Sequence, residues 1–179
     1  VNEKIVKWLN SLHACGEAVE WAREQKSPAQ AWRDCQRGDW MLWLVGKLSG
    51  KSGSAKRRPL VLAACECARL VLNYVPKGED RPRRAIETAE RWARGKATIE
   101  EVHAAAAAYA YAAAADAAAA AAAAAAYATA AADAAAAAAA YATAAADAAA
   151  DAARSKTLAL CADIVRKHYP KPPRTGGKQ

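Results

Sequence analysis

Two runs of arginine carry the most pointed chemistry in this 179-residue sequence. Lys56-Arg57-Arg58 comes just before a helix start marked by Pro59, and Arg81, Arg83 and Arg84 fall in the first turn of a helix that Asp80 can cap. The N-terminal end of a helix carries partial positive charge from its free N–H groups, so bases there are mildly unfavourable unless something negative compensates. Glu79, Asp80 and Glu87 are close enough in sequence to do so. A phosphate or an acidic partner surface, gathered by guanidinium forks and helix N–H groups, would serve equally. Trp40 beside such bases would add a stacking platform, although the run Trp40-Met41-Leu42-Trp43-Leu44-Val45 also reads as core. Arg57, Arg58, Arg81, Arg83, Arg84 and Trp40 are therefore the candidate anion- or partner-binding residues.

Other reactive groups point to structure. Cys65-Glu66-Cys67 puts two thiols at i and i+2 of an apparent helix, where they face different sides, and no second Cys or His pair completes a metal site. His13 with Cys15, and Cys161 with His168, lack further ligands in the same way. Cys161 reads as a core thiol and His168 as a surface residue. Five cysteines at irregular spacing, several within apolar helical patterns, are the usage of reduced buried thiols in a cytosol. Residues 49–54, Ser-Gly-Lys-Ser-Gly-Ser, resemble a phosphate loop in composition only, and no strand precedes them. The acids Asp116, Asp133, Asp147 and Asp151 stand in alanine with no base nearby to tune them for acid–base work. The expectation is a binding protein with no catalytic residue, metal or cofactor.

Helices must position these groups. Ile5, Trp8, Leu9 and Leu12 form one apolar helical face, and Glu17 to Trp21 lie in a second helix. Ser27-Pro28 is a helix start, with Gly38 a fitting stop and Asp39 a cap for the next helix. Pro59 opens a helix that continues to Tyr74-Val75, apolar on most sides except Glu66 and Arg69, and so central. Glu87 with Arg91 and Glu90 with Arg94 are i, i+4 pairs. Ala85, Ala89, Trp92 and Ala93 make the inward face of their helix, Gly95 ends it, and Thr98 with Glu101 match a capping box.

From Gly95 to Pro170 there is neither Gly nor Pro, and alanine, the strongest helix former, dominates. One unbroken helix from Thr98 to His168 would be roughly 105 Å long, against about 40 Å for a compact globule of this chain length. Asp116, Asp133 and Asp151, spaced by a helix and a turn, are candidate caps for breaks. Fold-back also gives Leu158, Cys161, Ile164, Val165 and Tyr169 a core to cover them. Tyr127 to Asp133 recurs as Tyr141 to Asp147, a shift of 14 residues that returns like side chains to nearly one face, which is packing periodicity. The expected fold is all-α: a multi-helix bundle in which an alanine-rich array, 99–169, folds back on a Trp-rich basic part, 1–98, with 170–179 a flexible tail.

The net charge of +8 is segregated: residues 1–98 carry 19 Lys/Arg against 11 Asp/Glu, residues 99–153 six acids and no base, and residues 154–179 seven bases and one acid. Basic ends steer anionic partners or pair with the acidic middle. No leader-like cationic and apolar N-terminal pattern is present, and Tyr, Thr and Asp interrupt the weakly hydrophobic alanine stretch, so no membrane span is expected.

Asp80-Arg81-Pro82-Arg83-Arg84-Ala85-Ile86-Glu87-Thr88-Ala89-Glu90-Arg91-Trp92-Ala93-Arg94-Gly95 resembles the D-x-R-P-R-x-A-I-E-x-A-x-x-W-A-R-G segment of an immunity protein family of bacterial polymorphic toxin systems, with the R-P-R displaced. The Leu60–Val75 helix fits as well, and the chain is similar to alanine-rich bacteriophage proteins. The resemblance covers residues 60–115. It implies a compact helical bundle in a bacterial cytoplasm that neutralises a toxin or defence factor by stoichiometric binding, as an immunity or phage counter-defence protein. The residues leave three other readings open: a sponge for anionic small molecules such as nucleotides, a nucleic-acid binder, against which the acidic middle argues, and a structural helical spacer.

Overall fold

A computed structural model describes residues 3–174 apart from 52, 71, 76 and 117–150. The described chain is all-α, with eight α-helices: α1 (Glu3–Ser11), α2 (Gly16–Arg23), α3 (Pro28–Asp34), α4 (Gly38–Leu48), α5 (Arg58–Arg69), α6 (Arg81–Ala93), α7 (Ile99–Asp116) and α8 (Asp151–His168). The Tyr/Thr/Asp repeat, Asp133, Asp147 and the breaks expected after α7 lie outside the described residues.

Local sequence signals set most boundaries. Ser27 Oγ accepts the Gln30 N–H at 3.1 Å, with Pro28 in the first turn of α3. Thr98 and Glu101 exchange side-chain and backbone hydrogen bonds of 2.6 and 3.2 Å, closing the capping box of α7. Gly95 ends α6 with φ +74°, a left-handed conformation that suits glycine. Other boundaries differ from the sequence expectation. The helix begun near Pro59 ends at Arg69, and Leu72–Tyr74 form a separate 3-10 turn. Asp80 stands at the N-cap of α6 without a capping bond, and its carboxylate pairs with Arg84 at 3.1 Å. Glu79 supplies the bond instead, accepting the Arg81 N–H at 2.9 Å. Arg91 reaches Glu101 at 3.4 Å across the α6–α7 turn, where an ion pair with Glu87 had been expected.

Gly38 does not stop α3. It opens α4 and is buried against α8, where an added Cβ would lie 2.6 Å from the Ala162 nitrogen. The α4 and α8 backbones therefore approach through a glycine on one side and an alanine on the other. Asp39 is not the cap of α4; it sits in the first turn and binds Arg37.

α5 is the central helix, with Leu60, Val61, Ala63, Ala64, Cys65, Cys67 and Ala68 buried. One side meets α6 and α7 through Ile86, Ala89, Trp92 and Val102. Leu60 joins Trp32, Met41 and Val45 in a second cluster, where Ala162 and Val165 of α8 are fully buried. The C-terminal helix thus folds back on the Trp-rich part, covering Leu158, Cys161 and Val165. Burial of each such side chain stabilises by about 1.5–3 kcal/mol, more than the exposed ion pairs around it.

The two polar residues that interrupt the α5 apolar pattern join it to its neighbours. Arg69 makes a bidentate pair with Glu90 of α6 at 2.7 and 3.1 Å. Glu66 accepts from Lys167 at 2.7 Å and lies 2.9 Å from His168 Nε2, so His168 is tied to α5 and is not a free surface residue. Arg69, with help from Arg94 and against the opposing effect of burial, holds the Glu90 carboxyl below its ordinary range, and Lys167 and His168 do the same for Glu66.

A carboxylate whose pKa is depressed on folding stabilises above its unfolded pKa and loses that contribution as pH falls through the folded one. Glu90→Gln is expected to lower stability at pH 7 by about 1–2 kcal/mol and to flatten the loss of stability below about pH 4.5; urea melts at pH 3–7 read both. Gly38→Ala gains helix propensity but must push α4 from α8, and the clash decides the sign. A loss of about 1–3 kcal/mol is expected in the same melts.

Candidate functional site

The six candidate residues occupy three separate places. Arg57 and Arg58 lie at the start of α5. The Arg57 guanidinium turns back and donates from Nη2 to the Gly46 carbonyl at 3.2 Å, satisfying an end-of-helix acceptor of α4. Arg58 is exposed, and its Nη1 lies against the α6–α7 turn, 4.0 Å from where a Cβ on Gly95 would stand. Lys56 and Lys96 are exposed near it in sequence or at the same turn. The far end of α6, about 18 Å away by helix rise, carries Arg81, Arg83 and Arg84.

At that end the helix dipole and three bases oppose one another. Arg81 is tied to Glu79, with Nε to Oε1 at 2.6 Å, and Arg84 to Asp80 at 3.1 Å. Local carboxylates thus compensate two of the three. Arg83 is exposed and has no ion-pair partner among the described residues; the same holds for Arg58. Neither guanidinium is committed to a neighbour, which leaves both available to bind a carboxylate or phosphate bidentately.

Trp40 belongs elsewhere. It packs against Trp21 with ring centroids 6.1 Å apart and planes inclined by 57°, and the Arg37 guanidinium lies 4.3 Å over its ring. That guanidinium is also bidentate to Asp39 at 2.9 and 2.7 Å and reaches Glu17 at 3.6 Å. Trp40 therefore stacks on a cation of its own, Arg37.

Around it lies a cleft of about 540 Å³ between the α1–α2 hairpin and the α3–α4 layer, with Pro172 and Pro173 on its wall. Five of the six tryptophans line it: Trp8, Trp21, Trp32, Trp40 and Trp43. None of the candidate arginines does. The sequence reads the run from Trp40 to Val45 as core while keeping Trp40 as a candidate binding residue. Only Trp32 of the five is fully buried, and helical periodicity alone could not separate a core face from the wall of a cleft. The signal available was the crowding of indoles, large groups that pack irregularly, into the first 43 residues.

Cysteine chemistry is structural. Cys35, Cys65, Cys67 and Cys161 are buried free thiols, while Cys15 is exposed, unlike the others. Burial pushes Cys65 up to about 12 and raises Cys35. The hydrogen bond with Cys161, then burial, raises Cys67. Protonated thiols of this kind are poor nucleophiles. Among the described residues no three His, Cys, Asp or Glu side chains gather as a metal site, and no helix is long and apolar enough to cross a membrane.

Removing the cation from Trp40 is expected to register in emission. Arg37→Ala should red-shift tryptophan fluorescence and cost about 0.5–2 kcal/mol, whereas Arg83→Ala should leave both unchanged.

A family model described as Imm-5 like putative immunity protein matches residues 50–171 of the 179. No curated protein and no solved structure matches the chain.

Proposed function

The chain belongs to the Imm-5 like putative immunity protein family, and from that premise we propose that it neutralises a protein toxin or defence factor by stoichiometric binding, without catalysis. The match over residues 50–171 carries this reading, because it takes in the central helix α5, α6 with its arginine turn, and the α8 helix that completes the core. The recognition residues we assign are Arg58 and Arg83 first, since neither has an ion-pair partner among the described residues. Arg81 and Arg84 flank Arg83 and present its turn, and Arg57 braces the adjacent α4 end.

Two uncommitted guanidiniums, Arg83 in the first turn of α6 and Arg58 of α5 against the turn that follows α6, fit an extended acidic protein surface. They fit a nucleotide poorly, because the length of α6, about 18 Å by helix rise, lies between the two turns they occupy. A partner surface that supplies carboxylates at both ends would also relieve the unfavourable base at the α6 N-terminus. Four buried thiols that a reducing compartment keeps free support placing the protein in the bacterial cytoplasm. An immunity protein and a phage counter-defence protein would use the same surface, and the identity of the gene beside it separates them.

The test is co-expression with the toxins or defence factors encoded next to its gene. Restored growth, together with a one-to-one purified complex, supports the reading. Rescue at strongly substoichiometric amounts, or no rescue with any of them, overturns it. Arg58→Glu with Arg83→Glu should weaken that complex at least tenfold, roughly 1.4 kcal/mol or more. Melting should change by less than about 0.5 kcal/mol, as for surface substitutions without partners.

A further inference from the structure

The segment Tyr169-Pro170-Lys171-Pro172-Pro173-Arg174 follows α8 without helical structure. Its composition limits it severely. Pro170, Pro172 and Pro173 fix their own φ, and Tyr169, Lys171 and Pro172 each precede a proline, which drives them to extended backbone. Such a strand has little conformational freedom left to lose, which is why aromatic grooves bind proline-rich segments well.

This strand lies on an aromatic groove. Pro172 and Pro173 sit on the wall of the tryptophan cleft. The Trp32 indole N–H donates to the Tyr169 carbonyl, the one preceding Pro170, at 2.8 Å. Prolines sharing a cleft wall with indoles, and an indole donor on a carbonyl before proline, together make a recognition geometry for an extended proline-bearing strand. The tail takes only part of the space, since a cavity of about 540 Å³ remains. Among the charged side chains that line it, Glu17 and Asp39 outnumber Arg37, a balance that suits the Lys171 and Arg174 of the tail. Every lining residue falls outside the stretch 50–171 that the family shares.

We propose that the tryptophan cleft is a docking site for an extended, proline-bearing basic peptide segment of a partner protein, and that the chain's own Tyr169–Arg174 strand is its tethered occupant. The incoming segment displaces Pro172 and Pro173 and takes the Trp8, Trp21, Trp40 and Trp43 faces, while Glu17 receives its basic flank. A tether holds the tail at millimolar effective concentration, so the resident strand sets a threshold that a weak, proline-poor segment does not pass. The site goes beyond the arginine surface and does not depend on it.

The test uses the full chain and the synthetic peptide Tyr-Pro-Lys-Pro-Pro-Arg, read by tryptophan fluorescence and by the indole N–H signals in NMR, with no toxin present. The P172S/P173S protein should bind the peptide at least tenfold more tightly than the unsubstituted chain. Adding E17Q should weaken that binding several-fold. The same peptide with alanine for every proline should not bind. Failure of the folded P172S/P173S protein to bind, or equal binding of the alanine peptide, overturns the proposal. If the double variant does not fold, the unsubstituted chain decides it: millimolar peptide must shift the Trp32 and Trp40 indole signals, and unchanged signals overturn the proposal.

Discussion

α3 and α8 cap one another, and the tertiary structure depends on that exchange. A helix ends with carbonyls that lack intrahelical partners. Arg166 of α8 donates from Nη1 to the Cys35 and Trp32 carbonyls at the end of α3, at 2.7 and 3.2 Å. Trp32 of α3 returns an indole N–H to the Tyr169 carbonyl at the end of α8. Both helix ends face negative, so the cation between them also opposes two dipoles. More than 130 residues separate the partners, yet this contact seats Ala162 and Val165 on Met41 and Val45, and thereby completes the core under α5.

Two styles of packing meet at α4. Toward α8 its side chains are minimal: Gly38 faces Cys161 and Ala162, and the backbones come nearly into contact. Toward the α1–α2 hairpin its side chains are large, and Trp40 and Leu44 meet Trp21 and a separate cluster of Ile5, Val6, Leu9 and Val19. Small residues close a gap between helices, whereas indoles prop helices apart and leave irregular space. The cleft follows from that contrast on one helix.

The arginines divide by their neighbours. Arg69, Arg37 and Arg166 are held by carboxylates or carbonyls and hold the fold together. Arg81 and Arg84 are compensated within their own turn. Composition makes all of them equal contributors to a basic protein, but only those without a partner have charge to offer a second molecule. The excess of eight positive charges is therefore not all free charge, because much of the arginine is held in contacts within the fold.

Helical class, the Ser27, Gly95 and Thr98–Glu101 boundaries and the central role of α5 were legible in the residues, because each rests on contacts within one turn or on the periodicity of one helix. So was the return of the last helix, since Leu158, Cys161 and Val165 could not stay uncovered. Gly38 was misread as a stop because a glycine chosen for a close approach looks locally like one chosen for a turn. Asp39 and Asp80 differ from expectation because each carboxylate turns to a nearby arginine, Arg37 or Arg84, in place of a helix N–H, and His168 because its partner Glu66 stands on α5, distant in sequence. The separation of the six candidate residues into three places, and the opening of the tryptophans into a cleft with the proline strand on its wall, belong to the tertiary structure alone. Spacing along a chain specifies which face of a helix a residue shares, but only the packing of helices distant in sequence decides what that face meets.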